Sequence, residues 1–241
     1  IKPPKGKATS KLALIVPTNS YMAYSNDNLG TNSVVAQLLA GKVPVLAASD
    51  LYLNEHREYG LSTYSLHSDG SGVCYSSRLR PILNMRPKYR HWLSPSLWQL
   101  NGDLHLTDWL EEKNLDFDIV TDEDLHIEGV DMLNRYQCVL TGSHPEYSSE
   151  KMLAAYESYQ LNGGRWIYLG ADGFYWISEY HPDNPNIIEV RKGEAGTRAW
   201  TANPGEYNNA FDGKFGGMWR ARGRIPTKVC GLIFTAYGFD V

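Results

Sequence analysis

The sequence has few cysteines. Cys74, Cys138 and Cys230 are the only ones among 241 residues, they lie far apart, and no Cys-x-x-Cys pair occurs. An odd number of separated thiols argues against a disulfide framework and against a thiolate zinc site. The scarcity of cysteine therefore favours a reduced compartment, and we expect a cytoplasmic protein.

Long hydrophobic runs and runs of basic residues are missing as well. No apolar stretch approaches the roughly 20 residues of a membrane-spanning helix, and no signal-peptide pattern is present. The formal net charge of −4 leaves no basic footprint for nucleic acid. With 42% hydrophobic and 21% charged residues, the chain is instead typical of a globular protein that buries a core.

A strand, a helix and a second strand follow one another in the middle of the chain. A strand is predicted at 137–141, where Cys138, Val139 and Leu140 form a short apolar run of the kind that buried parallel strands show, and Gly142 with Pro145 ends it. Ser149 suits the N-cap of a helix that continues to residue 161, and residues 165–169 predict the next strand. This alternation indicates an open parallel sheet flanked by helices.

The rest of the chain extends this α/β pattern around one long irregular segment. We predict a linker over residues 1–10, a single α/β domain over residues 11–241, and an aromatic-rich insertion over residues 50–101. Further strands are predicted at 12–16, 117–120, 187–191 and 229–235, and helices at 34–40, 103–113 with Asp103 as its N-cap, and 122–133. Residues 43–47 form another apolar segment, and residues 192–224 a long loop region.

Three polar residues fall where such a sheet binds ligands. In open α/β sheets the loops that leave the carboxyl ends of the strands line the ligand crevice. His144 and Glu146 lie in the loop after one predicted strand, and Asp172 lies in the loop after the next. The alternative is an ordinary strand-to-helix connection with a solvated glutamate, and the pattern alone leaves both open.

A zinc site is a weaker interpretation of the histidine and acidic residues in this sequence. His67 with Asp69, or His144 with Glu146, would suggest a zinc or two-metal site, but neither pair has the helical His-x-x-x-His spacing. Residues 69–72 (Asp-Gly-Ser-Gly) are most simply a turn.

Several separate blocks, in order along almost the whole chain, resemble the large subunit of N,N-dimethylformamidases. These blocks are residues 17–26 (PTNSYMAYSN), 62–64 (STY), 69–72 (DGSG), 142–147 (GSHPEY), 173–176 (GFYW), 189–193 (EVRKG), 196–200 (GTRAW) and 204–207 (PGEY).

The resemblance implies an enzyme that hydrolyses the C–N bond of a small amide, such as N,N-dimethylformamide to formate and dimethylamine. In that family a mononuclear ferric ion, Fe(III), is held by two tyrosines and one glutamate, which correspond here to Tyr24, Tyr64 and Glu146. The sheet of the family is similar to that of class I glutamine amidotransferases, with flavodoxin-like strand order. Those enzymes carry a cysteine nucleophile in the turn that here contains His144, and Cys138 lies inside the strand instead.

The chemistry of these residue types agrees with the implied site. Two phenolates and one carboxylate would neutralise a ferric ion, so that the centre is buried without an uncompensated charge. His144 is the first candidate for proton transfer or for orienting water, since its unperturbed pKa is about 6.5. Asp172 is the competing candidate. The family carries Asn at that position, and an extra carboxylate would hold a different substrate or raise the pKa of a neighbour.

The resemblance also implies partners, and other functions stay open. Large subunits of this family associate with one another and, in known members, with a small subunit, so we expect a homo-oligomer. The chain lacks an initial methionine, and we expect it to be a piece of a longer polypeptide, truncated at both ends. Alternatives are an assembly or ligand-binding domain without catalysis, and an amidotransferase-like domain that binds a sugar-like ligand without iron. Tyr24 and Tyr64, two of 16 tyrosines, would then be packing residues.

Overall fold

The computed structural model describes residues 3–28, 46–92 and 97–232. Along the chain the elements are β1 (Leu12–Val16), α1 (Thr18–Ala23), α2 (Ala48–Glu55), β2 (Tyr75–Ser77), α3 (Leu100–Glu112), β3 (Asp118–Thr121), α4 (Asp122–Glu128), α5 (Val130–Leu133), β4 (Cys138–Thr141), β5 (Tyr147–Ser148), α6 (Glu150–Leu161), β6 (Arg165–Ile167), β7 (Trp176–Ile177), β8 (Glu179–His181), β9 (Asn184–Glu189) and α7 (Thr227–Cys230). Two short 3-10 turns lie at Arg57–Tyr59 and Trp219–Arg222.

The main sheet contains four parallel strands in the spatial order β3-β1-β4-β6. Counted along the chain, these are the second, first, third and fourth strands of the sheet, as in the first four positions of the doubly wound 2-1-3-4-5 order. The predicted α/β class, a parallel sheet with flanking helices, is confirmed. The closer similarity to class I glutamine amidotransferases stays a prediction.

The central strands are apolar on both sides because helices cover both faces of the sheet. Ala13 and Ile15 of β1 point into the larger core, which also contains Tyr156 of α6. Leu14 points the other way and packs with Leu110 of α3 in a second, smaller cluster. Successive side chains of a strand alternate between faces, so one short run supplies both cores. This double burial explains why the strands were predictable from their composition.

Helix ends follow the predicted caps in one case and differ in two. Ser149 is the N-cap of α6, where its hydroxyl accepts a hydrogen bond from the backbone N–H of Met152. The single helix predicted over 122–133 is wrong, because Gly129 at φ 61° ends α4 and α5 begins after it. The cap predicted at Asp103 is also wrong, because α3 begins at Leu100 and Asp103 is buried in its first turn.

The predicted insertion contains more regular structure than expected, and the C-terminal part of the described chain differs from the prediction. The insertion over 50–101 carries most of α2, all of β2 and the start of α3, and β2 pairs antiparallel with β9 in a separate three-stranded sheet with β8. The strand predicted at 229–235 is wrong where the structure describes it, since residues 227–230 form α7. A short apolar run does not distinguish a strand from a buried helical turn. The helix predicted at 34–40, most of the segment 43–47 and residues 233–235 lie outside the described residues.

No helix within the described part of the chain is long and apolar enough to cross a membrane.

Asp122, the first residue of α4, gives the fold a pH-dependent stability. Its buried carboxylate accepts a hydrogen bond from the backbone N–H of Asn19 at 2.9 Å. Burial raises the pKa of Asp122 to about 8, and the charge of Asp103 adds to the increase. An unfolded aspartate has a pKa of about 3.9. The folded state therefore binds this proton more strongly, and the stability that it contributes is lost as pH rises from about 4 to about 8.

Asp122→Asn, which mimics the protonated acid, is expected to remove this loss. The variant should raise the melting temperature more at about pH 8 than at about pH 5, since each unit of pKa difference corresponds to about 1.4 kcal/mol. Thermal unfolding of both proteins at the two pH values measures the effect. The exposed Asp183→Asn is the matched control, and an Asp122→Asn shift of equal size at both pH values would contradict the assignment.

Candidate active site

Three loops bring Tyr24, Tyr64 and Glu146 together at the carboxyl edge of the sheet. The Tyr24 hydroxyl donates to Glu146 Oε2 at 2.8 Å, and the Tyr64 hydroxyl lies 2.6 Å from the Tyr24 hydroxyl and 3.2 Å from Glu146 Oε1. These residues are separated by 40, 82 and 122 positions along the chain. We call the three side chains the oxygen cluster. They are the residues that the family resemblance implies as metal ligands.

The oxygen cluster is largely withdrawn from solvent, and all three of its side chains are acids. Tyr24 and Glu146 are buried, and Tyr64 is partly buried with its ring stacked on that of Tyr24 at a centroid distance of 4.3 Å. Burial raises the pKa of both tyrosines well above the ordinary value, and the nearby Glu146 charge adds to this. Burial also raises the pKa of Glu146. Three buried acids that resist ionisation would ionise together if a cation bound between them.

His144 lies beside the oxygen cluster with its ring oriented from two sides. Its Nε2 is 3.3 Å from Asp172 Oδ2, so Nε2–H donates to the carboxylate, and Gln99 Nε2 lies 3.4 Å from Nδ1. Nδ1 is 3.6 Å from Glu146 Oε2. Burial lowers the pKa of His144, but the hydrogen bond to Asp172 and the charges of Glu146 and Asp172 outweigh it, so that the pKa is raised. These two carboxylates thus favour the protonated form of the imidazole.

Main-chain hydrogen bonds tie the loop of His144 and Glu146 to the loop of Asp172. The N–H of Ala171 donates to the carbonyl of Ser143 at 2.9 Å, that of Phe174 to Pro145 at 2.8 Å, and that of Trp176 to Glu146 at 2.9 Å. Asp172 itself has a φ of 50°, a conformation that aspartate and asparagine adopt more readily than most residues. The two loops therefore form one frame that presents His144, Glu146 and Asp172 together.

Gly142 and Asp103 pack closely against the backbone of the turn that carries His144. The Asp103 carboxylate accepts hydrogen bonds from the N–H of Ser143 and from the hydroxyl of Tyr21. A Cβ atom at Gly142 would lie 2.5 Å from Pro17 Cδ and 2.8 Å from Asp103 Oδ1. Asp103, interpreted from sequence as a helix cap, instead fixes the backbone that leads into His144.

Lys192 is a site residue that sequence reasoning missed. Its side chain is fully buried, and its Nζ donates to the Tyr147 hydroxyl at 3.1 Å, which in turn lies 2.6 Å from the Tyr64 hydroxyl. The ammonium sits 3.8 Å from the centre of the Tyr64 ring. Burial lowers the pKa of Lys192 to about 8, against the opposing charge of Glu146. Lys192 opens a long loop with no periodic pattern, so the only signal for it was its place in the block at 189–193.

The alternative metal sites receive no support from the described residues. His67 and Asp69 are exposed, and the Asp69 carboxylate accepts from the N–H and hydroxyl of Ser71, which confirms the predicted turn. Within the ranges that the structure describes, no group of three or more His, Cys, Asp or Glu side chains is arranged for a metal ion. The oxygen cluster falls outside that class because two of its members are tyrosines. Cys138 packs against the smaller core, away from the site.

Known proteins with related sequences agree with the resemblance. Over all 241 residues the chain is 47% identical to the N,N-dimethylformamidase beta subunit of Paracoccus aminophilus and 45% identical to that of an Alcaligenes species. The chain spans 31% of the length of each of these relatives. Residues 1–241 also match the family model for the C-terminal region of proteins like the N,N-dimethylformamidase beta subunit. The chain therefore belongs to the N,N-dimethylformamidase beta subunit-like, C-terminal family.

Proposed function

We propose that this chain carries the hydrolytic site of an iron-dependent amidohydrolase that cleaves the C–N bond of a small amide. The observation that carries the proposal is the meeting of Tyr24, Tyr64 and Glu146, from three separate loops, beside His144. The names of the relatives, both N,N-dimethylformamidase beta subunits, support the same reaction class. Since the chain spans 31% of those relatives, the activity is proposed for the whole protein that contains it.

The donor set of the oxygen cluster fits a ferric ion. Its three acids carry three negative charges when ionised, which balances a trivalent cation in a buried place. The distances between its oxygens, 2.6 to 3.2 Å, resemble the spacing of about 2.8–3.4 Å between neighbouring oxygens that each lie about 2.0–2.1 Å from a small hard cation. Tyr24, Tyr64 and Glu146 would hold the ion. When bound, it supplies Lewis acidity towards the amide oxygen and lowers the pKa of water.

His144 supplies the proton that the reaction needs. Hydrolysis forms a bond between a water oxygen and the carbonyl carbon, breaks the C–N bond and moves one proton of the water to the leaving nitrogen. The second proton of the water then leaves the carboxylic acid for the amine, so that the products are a carboxylate and a protonated amine. The nitrogen is a poor leaving group until it is protonated. Nδ1 of His144 is the ring atom nearer the oxygen cluster, whereas Nε2–H is held by Asp172. We assign the proton transfer to Nδ1 and the orientation of the ring to Asp172.

Lys192 and Tyr147 support the charge of the cluster. Once Tyr64 is ionised, the Tyr147 hydroxyl donates to its oxygen, and the Lys192 ammonium donates to the Tyr147 oxygen. Such charge-assisted hydrogen bonds are stronger than neutral ones. The chain Lys192–Tyr147–Tyr64 therefore favours the phenolate form of Tyr64.

The proposal extends to the type of sheet, the oligomeric state and the cellular location. We propose a sheet of the class I glutamine amidotransferase type, a homo-oligomer joined by a small subunit, and a cytoplasmic location. The relatives are named as beta subunits, which supports a complex of several chains.

Iron content, colour and hydrolysis of a series of formamides test the proposal together. Phenolate bound to ferric iron absorbs visible light, so the purified full-length protein should be coloured, contain stoichiometric iron and release ammonia or an amine from at least one formamide. A colourless protein without stoichiometric metal would contradict the iron site and favour an assembly domain without catalysis. Iron without hydrolysis of any formamide would contradict the proposed substrate class.

A further inference from the structure

Asp27 lies three residues after Tyr24, and its buried carboxylate has no role in the proposed reaction. Its Oδ1 accepts a hydrogen bond from the hydroxyl of Ser62 at 3.0 Å. Its Oδ2 accepts from Nε2–H of His91 at 2.9 Å and from Nε1–H of Trp92 at 3.2 Å. This side chain therefore binds three others, which lie 35, 64 and 65 positions further along the chain.

The bond to Ser62 fixes the loop that carries Tyr64. The Ser62 hydroxyl also accepts from the backbone N–H of Tyr64 at 3.1 Å, so a single oxygen atom joins the Asp27 carboxylate to the Tyr64 main chain. Thr63 strengthens the same junction, because its N–H and its hydroxyl both donate to the carbonyl of Ala23 at 3.0 Å. The segment that ends at Asp27 is thus tied to the segment of Tyr64 at two points.

Asp27 also holds Tyr24, the other tyrosine of the oxygen cluster. The N–H of Asp27 donates to the Tyr24 carbonyl at 3.1 Å, at the C-terminal end of α1. The His91 ring that Oδ2 binds meets the Tyr24 ring edge-on, with 6.3 Å between the centroids and 89° between the planes. The same helix contacts the loop of Glu146, whose N–H donates to the Ser20 hydroxyl at 3.1 Å. The segment 20–27 therefore contacts the main chain of every member of the oxygen cluster.

A cation that binds between two tyrosines needs both hydroxyls within reach of one ion, and here they lie 2.6 Å apart. If the two loops were free, binding would have to order them, and the lost conformational entropy would weaken the affinity. Hydrogen bonds to a carboxylate are stronger than those between neutral groups. We propose that Asp27 is a positioning residue of the iron site, which holds Tyr24 and Tyr64 together before the ion binds. This inference rests on the proposed iron site and adds a residue to it.

Asp27→Ala removes all three side-chain bonds. We expect it to lower the affinity for ferric iron by about tenfold to a hundredfold, as is usual when a partner that orients metal ligands is lost. Ser62→Ala removes the link to the Tyr64 loop and leaves the bonds to His91 and Trp92 in place, so a smaller loss is expected. Both variants should regain the visible colour in excess iron, since the three ligands themselves are unchanged.

The measurement uses the full-length protein, which is titrated with ferric iron in competition with a soluble chelator while the visible absorption reports binding. Each variant is titrated well below its own unfolding transition in the absence of iron, so that reduced stability alone does not lower the affinity. If Asp27→Ala does not fold, Ser62→Ala decides, because it removes a single hydroxyl.

Asp118→Ala is the matched control. Asp118 is also a buried aspartate, and its carboxylate accepts from the N–H of Thr9 at 2.8 Å and from the Thr9 hydroxyl. It is the first residue of β3, at the amino edge of the sheet, whereas the oxygen cluster lies at the carboxyl edge. Its replacement removes a comparable set of buried bonds and should leave the iron affinity unchanged.

Weaker iron binding in Asp27→Ala and Ser62→Ala, with wild-type affinity in Asp118→Ala, supports the inference. Wild-type affinity in both Asp27→Ala and Ser62→Ala overturns it and leaves the proposed iron site intact. An equal loss of affinity in Asp118→Ala also overturns it, because the effect is then one of general stability. If the wild type binds no iron, the proposed function fails and this inference fails with it.

Discussion

Replacing Glu146 with glutamine is expected to remove the metal and the visible colour and to lower amide hydrolysis by about a thousandfold or more. Glutamine keeps the shape of the side chain, but it takes away one of the three acidic groups whose oxygens meet at 2.6 to 3.2 Å in the oxygen cluster. Loss of a catalytic metal forfeits several kcal/mol of transition-state stabilisation, and about 1.4 kcal/mol corresponds to tenfold in rate. Metal analysis, the visible spectrum and kcat/KM measure the three effects.

Glu179→Gln is the matched control for this variant. Glu179 is also largely buried, and burial raises its pKa to about 6, but it lines a different cavity with His126 and Tyr180. Its replacement should leave iron content, colour and turnover close to those of the wild type. A Glu146→Gln protein that retains full iron and full activity would remove Glu146 from the site.

His144→Gln is expected to lower kcat by about a hundredfold to ten-thousandfold while iron content and colour stay close to wild type. The reason is the position of the imidazole, whose Nδ1 lies 3.6 Å from Glu146 Oε2 without belonging to the oxygen cluster. Its pKa is raised by Asp172 and Glu146 against the effect of burial, and glutamine has no titratable group that could transfer a proton in its place. Steady-state kinetics with a small formamide and metal analysis on the same sample separate the two effects.

His126→Gln provides the comparison for a partly buried histidine outside the site. Its Nδ1 is hydrogen-bonded to the Ser149 hydroxyl at 2.7 Å, and burial lowers its pKa to about 4. We expect this variant to turn over substrate as the wild type does. If His144→Gln loses its iron as well as its activity, His144 is required for metal binding and the assignment of proton transfer is wrong.

The parallel sheet was predictable because its strands satisfy one simple condition. Residues such as Leu14 and Val139 pack on opposite faces of a sheet covered on both sides, so the strands appear as continuous apolar runs. The helical break at Gly129 was not predictable, since a glycine within a helical pattern is tolerated elsewhere. The turn at 227–230 was missed because Val229 and Cys230 are apolar neighbours whose burial fits a helix as well as a strand.

The residues of the candidate site also differ in whether the sequence could indicate them. His144, Glu146 and Asp172 follow predicted strands, and the position of ligand crevices in parallel sheets indicated that they lie where a site is expected. Tyr64 lies in an insertion without periodicity, and only the family resemblance pointed to it. Lys192 belongs to a block of the family resemblance that gave it no role, and Asp103 was interpreted as a helix cap. The burial of these two residues depends on distant contacts with Tyr147 and Tyr21. Local sequence carries no signal for a charge that is buried by tertiary packing.

The main-chain bonds that join the two loops of the site have a consequence for how the family diversifies. Every residue type except proline offers the same N–H, and every residue offers the same carbonyl, so exchanges at positions 144 and 146 leave the bonds of Ala171, Phe174 and Trp176 in place. Position 172, at φ 50°, admits the residue types that tolerate a positive φ. Mutations that alter reactivity or ligand choice are thereby uncoupled from those that would unfold the loops. Such an architecture lets natural variation, or a directed-evolution library, explore new chemistry at little structural risk.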